Sequence, residues 1–215
     1  MFRILFAFLV LVAAMSANAE TNAAVKRPAV KVGDSWTYAA YDGWNRKVLG
    51  TSVLKVTSVG DVVEILSQSK AGTIIAITET PDTNTVSRVP TKGNTVQYSP
   101  DSGRIVFPLD VGKKWVVKSN FTIGETRRGS EELDATVVGW EKVTVPAGTF
   151  TALKITWAGY YRSSDGAQSG SGKVDVVLWY SPEVKRSVKS SYKEDNWNGQ
   201  LSVWVETELA AYKVD

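Results

Sequence analysis

The chain of 215 residues contains no cysteine and no histidine. Without histidine it lacks the commonest general base and metal ligand, and it cannot form a serine–histidine–aspartate triad. Without cysteine it has no thiol nucleophile and no thiolate metal site, and its stability must come from apolar burial rather than disulfides. We therefore expect no catalytic residues, no metal and no cofactor, and a protein that is not an enzyme.

Long apolar runs are scarce, with one exception at the start of the sequence. Arg3 is followed by an uncharged apolar run over residues 4–15 and then by Ala17-Asn18-Ala19. This order is typical of a signal peptide cleaved after Ala19, and the run is too short to span a membrane. Together with the absence of cysteine, it predicts a bacterial periplasmic or secreted protein with no transmembrane helix in the mature chain.

Concentrated charge of one sign is also missing. The 25 Lys and Arg residues nearly balance the 22 Asp and Glu residues. They are interspersed along the chain, apart from short runs such as Lys113-Lys114 and Arg127-Arg128. Nucleic-acid binding needs a basic face, so we expect no nucleic-acid partner.

Short runs rich in Val, Ile, Thr, Tyr and Trp make up most of the remaining sequence, and Gly, Asn, Asp and Pro separate them. Residues 201–209 alternate apolar with polar side chains, which indicates a half-buried strand. Asn198-Gly199 predicts a type I′ hairpin turn between strands near 187–196 and 201–213. The pattern predicts an all-β, antiparallel fold.

An internal repeat at a spacing of 79 residues divides the mature chain. Seven positions match at this offset: Val32, Gly33, Trp36, Leu54, Thr57, Val59 and Gly60 recur as Val111, Gly112, Trp115, Leu133, Thr136, Val138 and Gly139. A single meander leaves one apolar face uncovered, so we expect two repeated halves that share one core as a curved sheet, half-barrel or sandwich. Trp36 and Trp115 should then be equivalent and buried, and Gly60 and Gly139 should occupy equivalent turns.

The expected organisation has four parts. Residues 1–19 form the signal peptide and 20–30 a flexible leader. Residues 31–105 form the first β-meander half and 106–215 the second.

Two tryptophans lie in polar turns rather than in apolar strands. Trp44 has Asp42 and Asn45 beside it, and Trp197 has Asp195 and Asn198. An aromatic ring flanked by carboxylate and amide groups can stack on a sugar while the polar groups bind its hydroxyls. The alternative is that each ring folds back over the edge of its own hairpin. These six residues are the candidate ligand-binding positions.

The segment Gly139 to Phe150, which contains Val145-Pro146-Ala147-Gly148-Thr149-Phe150, resembles one found in uncharacterised exported bacterial β-proteins. The resemblance spans roughly residues 105–213 and includes Phe107-Pro108-Leu109, Trp179-Tyr180-Ser181-Pro182 and Glu208-Leu209. It implies an envelope location and an antiparallel sheet, which could curve into an open half-barrel like those of periplasmic lipoprotein carriers. Many such relatives carry a lipobox cysteine, which this chain lacks.

Two functions remain open from the sequence. The first is a non-catalytic binding or carrier protein of the bacterial envelope, with a lipid or another small hydrophobic molecule as its ligand. The second is a surface module that recognises a glycan or an envelope protein through the turn-borne tryptophans.

Overall fold

The computed structural model describes residues 24–196 and 198–215. The predicted signal peptide and Trp197 lie outside the described residues. The rest is built from strands, apart from one 3₁₀ turn at Pro182–Val184. The strands are β1 Ser35–Asp42, β2 Val48–Val59, β3 Val63–Ser69, β4 Ile74–Glu79, β5 Thr85–Pro90, β6 Val96–Ser99, β7 Lys114–Ile123, β8 Arg127–Val145, β9 Gly148–Ser164, β10 Ser169–Ser181, β11 Arg186–Asp195 and β12 Leu201–Lys213.

The sheet closes on itself. Each strand pairs with its neighbour in sequence, and β1 pairs with both β2 and β12, so the order around the barrel follows the chain. The predicted all-β antiparallel fold is confirmed, and the curved sheet is a closed barrel. Closure satisfies backbone groups that a half-barrel or a sandwich would leave unpaired at its edges.

Most strands bury one alternating set of side chains, and these form two apolar clusters. β9 buries both of its faces at Ala152 and Leu153, which belong to the first and the second cluster respectively. The first cluster includes Trp36, Val56 and Ile65 from the predicted first half, with Phe150 and Leu209 from the second. Buried members of the second cluster come from the range 105–180. The side chains that point away from both clusters form the outer face of the barrel.

The two Val-Gly turns of the sequence repeat have the same backbone geometry. Gly33 has φ 97° and donates its N–H to the Val56 carbonyl at 3.0 Å, and Gly112 has φ 86° and donates to the Val137 carbonyl at 2.9 Å. The two acceptors are 81 residues apart, not 79. Compared with the 79-residue repeat, β8 is therefore shifted by two residues along β7. A shift of two keeps every side chain on the same face of the sheet, because side chains alternate with a period of two.

The same shift affects the rest of the repeat. Trp36 faces Leu54 across the sheet, whereas Trp115 faces Ala135. Gly60 lies in the turn between β2 and β3, but Gly139 lies inside β8 at its irregularity with β9. The expectation that these glycines occupy equivalent turns is wrong, because β8 continues where β2 ends. Duplication of the two halves stays a prediction.

Three local features concern turns and the predicted leader. Pro146 and Ala147 connect β8 to β9, and the Ala147 N–H donates to the Leu209 carbonyl at 3.0 Å. Asn196 donates its N–H to the Gln200 carbonyl at 2.8 Å, so the predicted type I′ turn is wrong: the connection is longer than two residues. Within the predicted leader, Val25 exchanges two backbone hydrogen bonds with Leu109, at 2.7 and 2.8 Å.

Candidate functional site

The turn between β1 and β2 holds Trp44 in place through its polar neighbours. The Asp42 carboxylate accepts the N–H of Trp44 at 2.9 Å and the N–H of Asn45 at 3.2 Å. The Asn45 side-chain oxygen accepts the N–H of Lys47 at 2.8 Å. These oxygens therefore stabilise the turn, and the ring of Trp44 projects from it with 53% of its surface exposed.

Trp204 of β12 lies beside Trp44 and forms an aromatic pair with it. The ring centroids are 6.1 Å apart and the planes are inclined by 73°, an edge-to-face arrangement. Gly43 donates its N–H to the Trp204 carbonyl at 2.9 Å. A Cβ atom at Gly43 would lie 2.1 Å from the Trp204 ring, so only glycine allows this approach.

Sequence reasoning missed Trp204, although a signal was present. In the alternation of residues 201–209 it lies with Ser202, Glu206 and Glu208 on the polar side. A tryptophan on the polar side of a strand is directed away from the core, so it was a candidate for a surface role.

Charged groups surround this aromatic pair on the outer face. Arg46 forms ion pairs with Glu206 and, at 3.0 Å, with Glu208, and its guanidinium lies 4.3 Å from the centre of the Tyr41 ring. Burial lowers the pKa of Arg46, but the two glutamates outweigh this and raise it. Lys193 of β11 pairs with Trp204 in register, and its ammonium lies 4.3 Å from the ring centre.

A third tryptophan packs against the first apolar cluster and also contacts cationic side chains. Trp179 of β10 pairs with Lys189 of β11, four residues from Lys193, and donates its indole N–H to the Glu141 carboxylate at 2.7 Å. The ammonium of Lys154 lies 5.6 Å from its ring centre. Hydrogen bonding by Trp179 is the largest cause of the lowered pKa of Glu141. Trp179, like Trp204, thus contacts a cationic side chain.

The second predicted turn lies at the same end of the barrel as the first. Asp42 pairs with Val205, and Asp195 pairs with Leu201, so both turns flank the start of β12. The Asn196 side-chain oxygen accepts the N–H groups of Asn198 and Gln200, each at 3.0 Å.

The polar members of the second turn take different positions. The backbone carbonyl of Asp195 accepts the Tyr161 hydroxyl at 3.4 Å, and Asn198 is exposed. The structure brings Trp44, Asp42 and Asn45 together and places Asp195 and Asn198 near the tip of the neighbouring hairpin. Whether these residues bind a ligand stays a prediction.

The described residues contain no group of three acidic side chains arranged to hold a metal ion. In the same part of the chain, no helix has the length and apolar character needed to cross a membrane. A cavity of about 650 Å³ lies at the surface along β7 to β10, lined mainly by serine and arginine side chains.

Comparison with known proteins gives similarity of fold. No protein-family model matches the chain, and no curated protein matches it significantly. A Bacteroides fragilis protein described as exported, with a YmcC-like fold, has 16% identity over 88% of this chain and 99% of its own, with a TM-score of 0.52.

Two further solved structures are similar. One is a protein of Parabacteroides distasonis described as a lipoprotein, with 14% identity over 88% of this chain and 99% of its own and a TM-score of 0.48. The other is the hypothetical lipoprotein YmcC of Escherichia coli, with 11% identity over 82% of this chain and 83% of its own and a TM-score of 0.48. The similarity to the Bacteroides fragilis protein, at a TM-score of 0.52, is one of fold alone.

Proposed function

We propose that this chain is an exported, non-catalytic binding protein of the bacterial envelope, which recognises a glycan through the outer face around Trp44 and Trp204. The proposal rests on one observation: Trp44 is held in place by its neighbours and is nevertheless exposed. Its turn is tied by the Asp42 carboxylate and its ring is braced by Trp204, yet half of the side chain is open to solvent. A rigid aromatic surface of this kind binds a sugar ring with little loss of conformational entropy.

The polar groups around the pair suit such a ligand. Arg46 and Lys193 are donors, and Glu206 is an acceptor, all within the same patch of the outer face. Sugar hydroxyls can hydrogen-bond to both donors and acceptors, whereas a purely apolar ligand would shield these charged groups from water without bonding to them. The patch therefore favours a hydroxyl-rich ligand.

The interior argues against the other function expected from the sequence, carriage of a lipid. A carrier needs an unfilled apolar cavity of roughly 300 Å³ or more. Trp36 and Trp157 are almost fully buried members of the two apolar clusters, and the cavity of about 650 Å³ lies at the surface along β7 to β10. Binding on the surface agrees better with this arrangement than carriage inside it.

Export is the second part of the proposal. The predicted signal peptide over residues 1–19 directs the chain to the periplasm or the exterior, and the Bacteroides fragilis protein that shares its fold is described as exported. Expression of the full-length chain in a bacterial host, with fractionation and N-terminal sequencing, tests this part. A mature chain that begins at Glu20 is expected, and an uncleaved cytoplasmic protein would contradict it.

Titration of intrinsic tryptophan fluorescence tests the binding site. The probes are the peptidoglycan disaccharide-tetrapeptide and the neutral tetramer of β-1,4-linked N-acetylglucosamine. Trp44→Ala should weaken binding about tenfold, which corresponds to about 1.4 kcal/mol of stacking free energy. Leu49→Ala is the matched control, because Leu49 is the second residue of β2 and is also exposed. Equal affinities of wild type and Trp44→Ala, or an equal loss in Leu49→Ala, would overturn the proposal.

A further inference from the structure

A groove crosses the outer face of strands β7 to β10, away from the Trp44 turn. It holds the cavity of about 650 Å³, and cavities of about 520 Å³ and 430 Å³ adjoin it through shared lining residues. We call it the outer groove and define it by Asn120, Arg128, Ser130, Arg162, Ser164 and Ser171.

Strand register brings these polar side chains together from four strands. One row across the sheet runs through Asn120, Ser130, Arg162 and Ser171, and the next row joins Arg128 to Ser164. Alternation turns the intervening Glu131 and Tyr161 towards the interior, so the groove residues face outwards. Arg128 and Arg162 are diagonal neighbours on adjacent strands, with backbones about 7 Å apart.

Neighbouring strands behind the groove approach each other closely at two glycines. A Cβ atom at Gly129 would lie 2.4 Å from the carbonyl oxygen of Arg162, and one at Gly159 would lie 2.1 Å from that of Glu132. Side chains of any size are therefore excluded at these two inner positions.

Carboxylates lie beside the arginines of the outer groove without pairing with them: Glu132 and Asp134 line the adjoining cavity of about 430 Å³. Across the described part of the chain, neither Arg128 nor Arg162 forms an ion pair. The adjacent Glu132 pairs instead with Lys118 at 3.2 Å. The Asp165 carboxylate is occupied by the backbone N–H groups of Ala167 and Gln168, at 3.1 and 2.8 Å. Two exposed guanidinium groups are thus available to an anion from solution, and guanidinium binds carboxylate with two parallel hydrogen bonds.

An aromatic ring borders the arginines. Tyr160 has 63% of its surface exposed and lines the cavity of about 430 Å³ together with Arg162, Glu132 and Asp134. A sugar ring can stack on Tyr160 while its hydroxyl groups bond to the serines, and its acidic group can reach the arginines. A nucleic acid would instead need a longer cationic track with several stacking rings.

We propose that the outer groove binds an acidic oligosaccharide, with its carboxylate groups on Arg128 and Arg162, its hydroxyl groups on the serines and one sugar ring on Tyr160. The site is separate from Trp44 and does not depend on the function proposed for that turn.

Isothermal titration calorimetry with hexagalacturonate at low salt tests the proposal. The fully methyl-esterified hexamer is the matched neutral ligand, and it should bind at least tenfold more weakly because it cannot form carboxylate–guanidinium pairs. Arg128→Gln/Arg162→Gln should lower the affinity for hexagalacturonate at least tenfold. Arg128→Lys/Arg162→Lys should retain part of it, because lysine keeps the charge but not the planar fork. Tyr160→Ala should lower it several-fold.

A charge-matched control separates the contribution of the outer groove from the effect of the protein's net charge. Lys55→Gln/Lys142→Gln removes two exposed positive charges on β2 and at the far end of β8, and should leave the affinity within twofold. Trp44→Ala should also leave it unchanged, so failure of one proposed site is distinguishable from failure of the other. All variants are exposed and should keep the wild-type melting temperature. Equal binding by the double arginine variant, equal binding of the methyl ester, or tighter binding of a thymidine oligonucleotide would overturn the proposal.

Discussion

At the scale of single residues, Asp34 links three distant parts of the chain. It is 2% exposed, and its carboxylate accepts the N–H of Lys31 at 2.9 Å, the ammonium of Lys185 at 3.0 Å and the N–H of Asp215 at 3.1 Å. Burial raises the pKa of Asp34, but the three donors together lower it below the usual aspartate value. The ionised form is therefore the one that the fold stabilises.

A pH series tests this role of Asp34. A carboxyl whose pKa is lower in the folded state stabilises the fold above its unfolded pKa, and the contribution is lost as pH falls through the folded value. Asp34→Asn should cost about 1–3 kcal/mol of unfolding free energy at pH 7. The gap to wild type should narrow as the pH is lowered from about 4, measured by urea unfolding at each pH. A gap that is the same at pH 7 and pH 3 would contradict the assignment.

At the scale of elements, the two Val-Gly turns have the same geometry, so the tryptophans in the strands that follow them can be compared. Each turn feeds a strand with tryptophan near its start, Trp36 in β1 and Trp115 in β7. The shared backbone geometry does not make their environments equal. Trp36 is fully buried and donates its indole N–H to the Val184 carbonyl at 2.7 Å. The indole N–H of Trp115 is buried with no partner among the described residues.

This difference predicts unequal costs for the same substitution. Trp36→Phe removes a buried hydrogen bond and leaves the Val184 carbonyl unpaired, so it should be the more destabilising change. Trp115→Phe removes an unpaired donor, which offsets part of the lost packing. The difference between the two losses of unfolding free energy should be about 1 kcal/mol or more, measured by urea unfolding. Equal losses would show that the two positions are energetically equivalent despite their different surroundings.

The elements also show which parts of the structure sequence reasoning could reach. The strand from Leu201 and the Pro146 turn were predictable because their signals lie in adjacent residues. Closure of the barrel was not, because pairing of Trp36 with Tyr212 leaves no trace in a local pattern. For the candidate sites, the exposed Trp44 was predictable from its polar turn. The closeness of Arg128 to Arg162 was not predictable, because it depends on the register between the two long strands β8 and β9.

At the scale of the whole molecule, the first apolar cluster includes side chains from both predicted halves. Ile65 and Ile77 from β3 and β4 lie in the same cluster as Val143 and Phe150 from the β8–β9 hairpin. A substitution that removes packing in one predicted half therefore also removes contacts made by the other half. We expect the two halves to unfold together.

Unfolding experiments on Ile65→Ala test this cooperation. The substitution should cost about 2–5 kcal/mol, the range for buried aliphatic side chains. Circular dichroism and tryptophan fluorescence should still report one transition at one midpoint. Leu66→Ala is the matched control, because the adjacent Leu66 is exposed, and its effect should stay within about 0.5 kcal/mol. Two transitions, with only the earlier one moved by Ile65→Ala, would show that the halves are independent.

Because β1 pairs with β12, the barrel can close only after β12 has been synthesised. A ribosome makes β1 first and β12 last among the described strands, so one edge of β1 has no partner for most of synthesis. An unpaired strand edge is a template for other chains, and lysine is a common protection against this. The β1 sequence from Ser35 to Asp42 contains three aromatic residues and no lysine. A chain interrupted before Leu201 would thus be left as an open sheet with an unprotected edge at β1. That edge would tend to pair with strands of other chains, and the protein would aggregate.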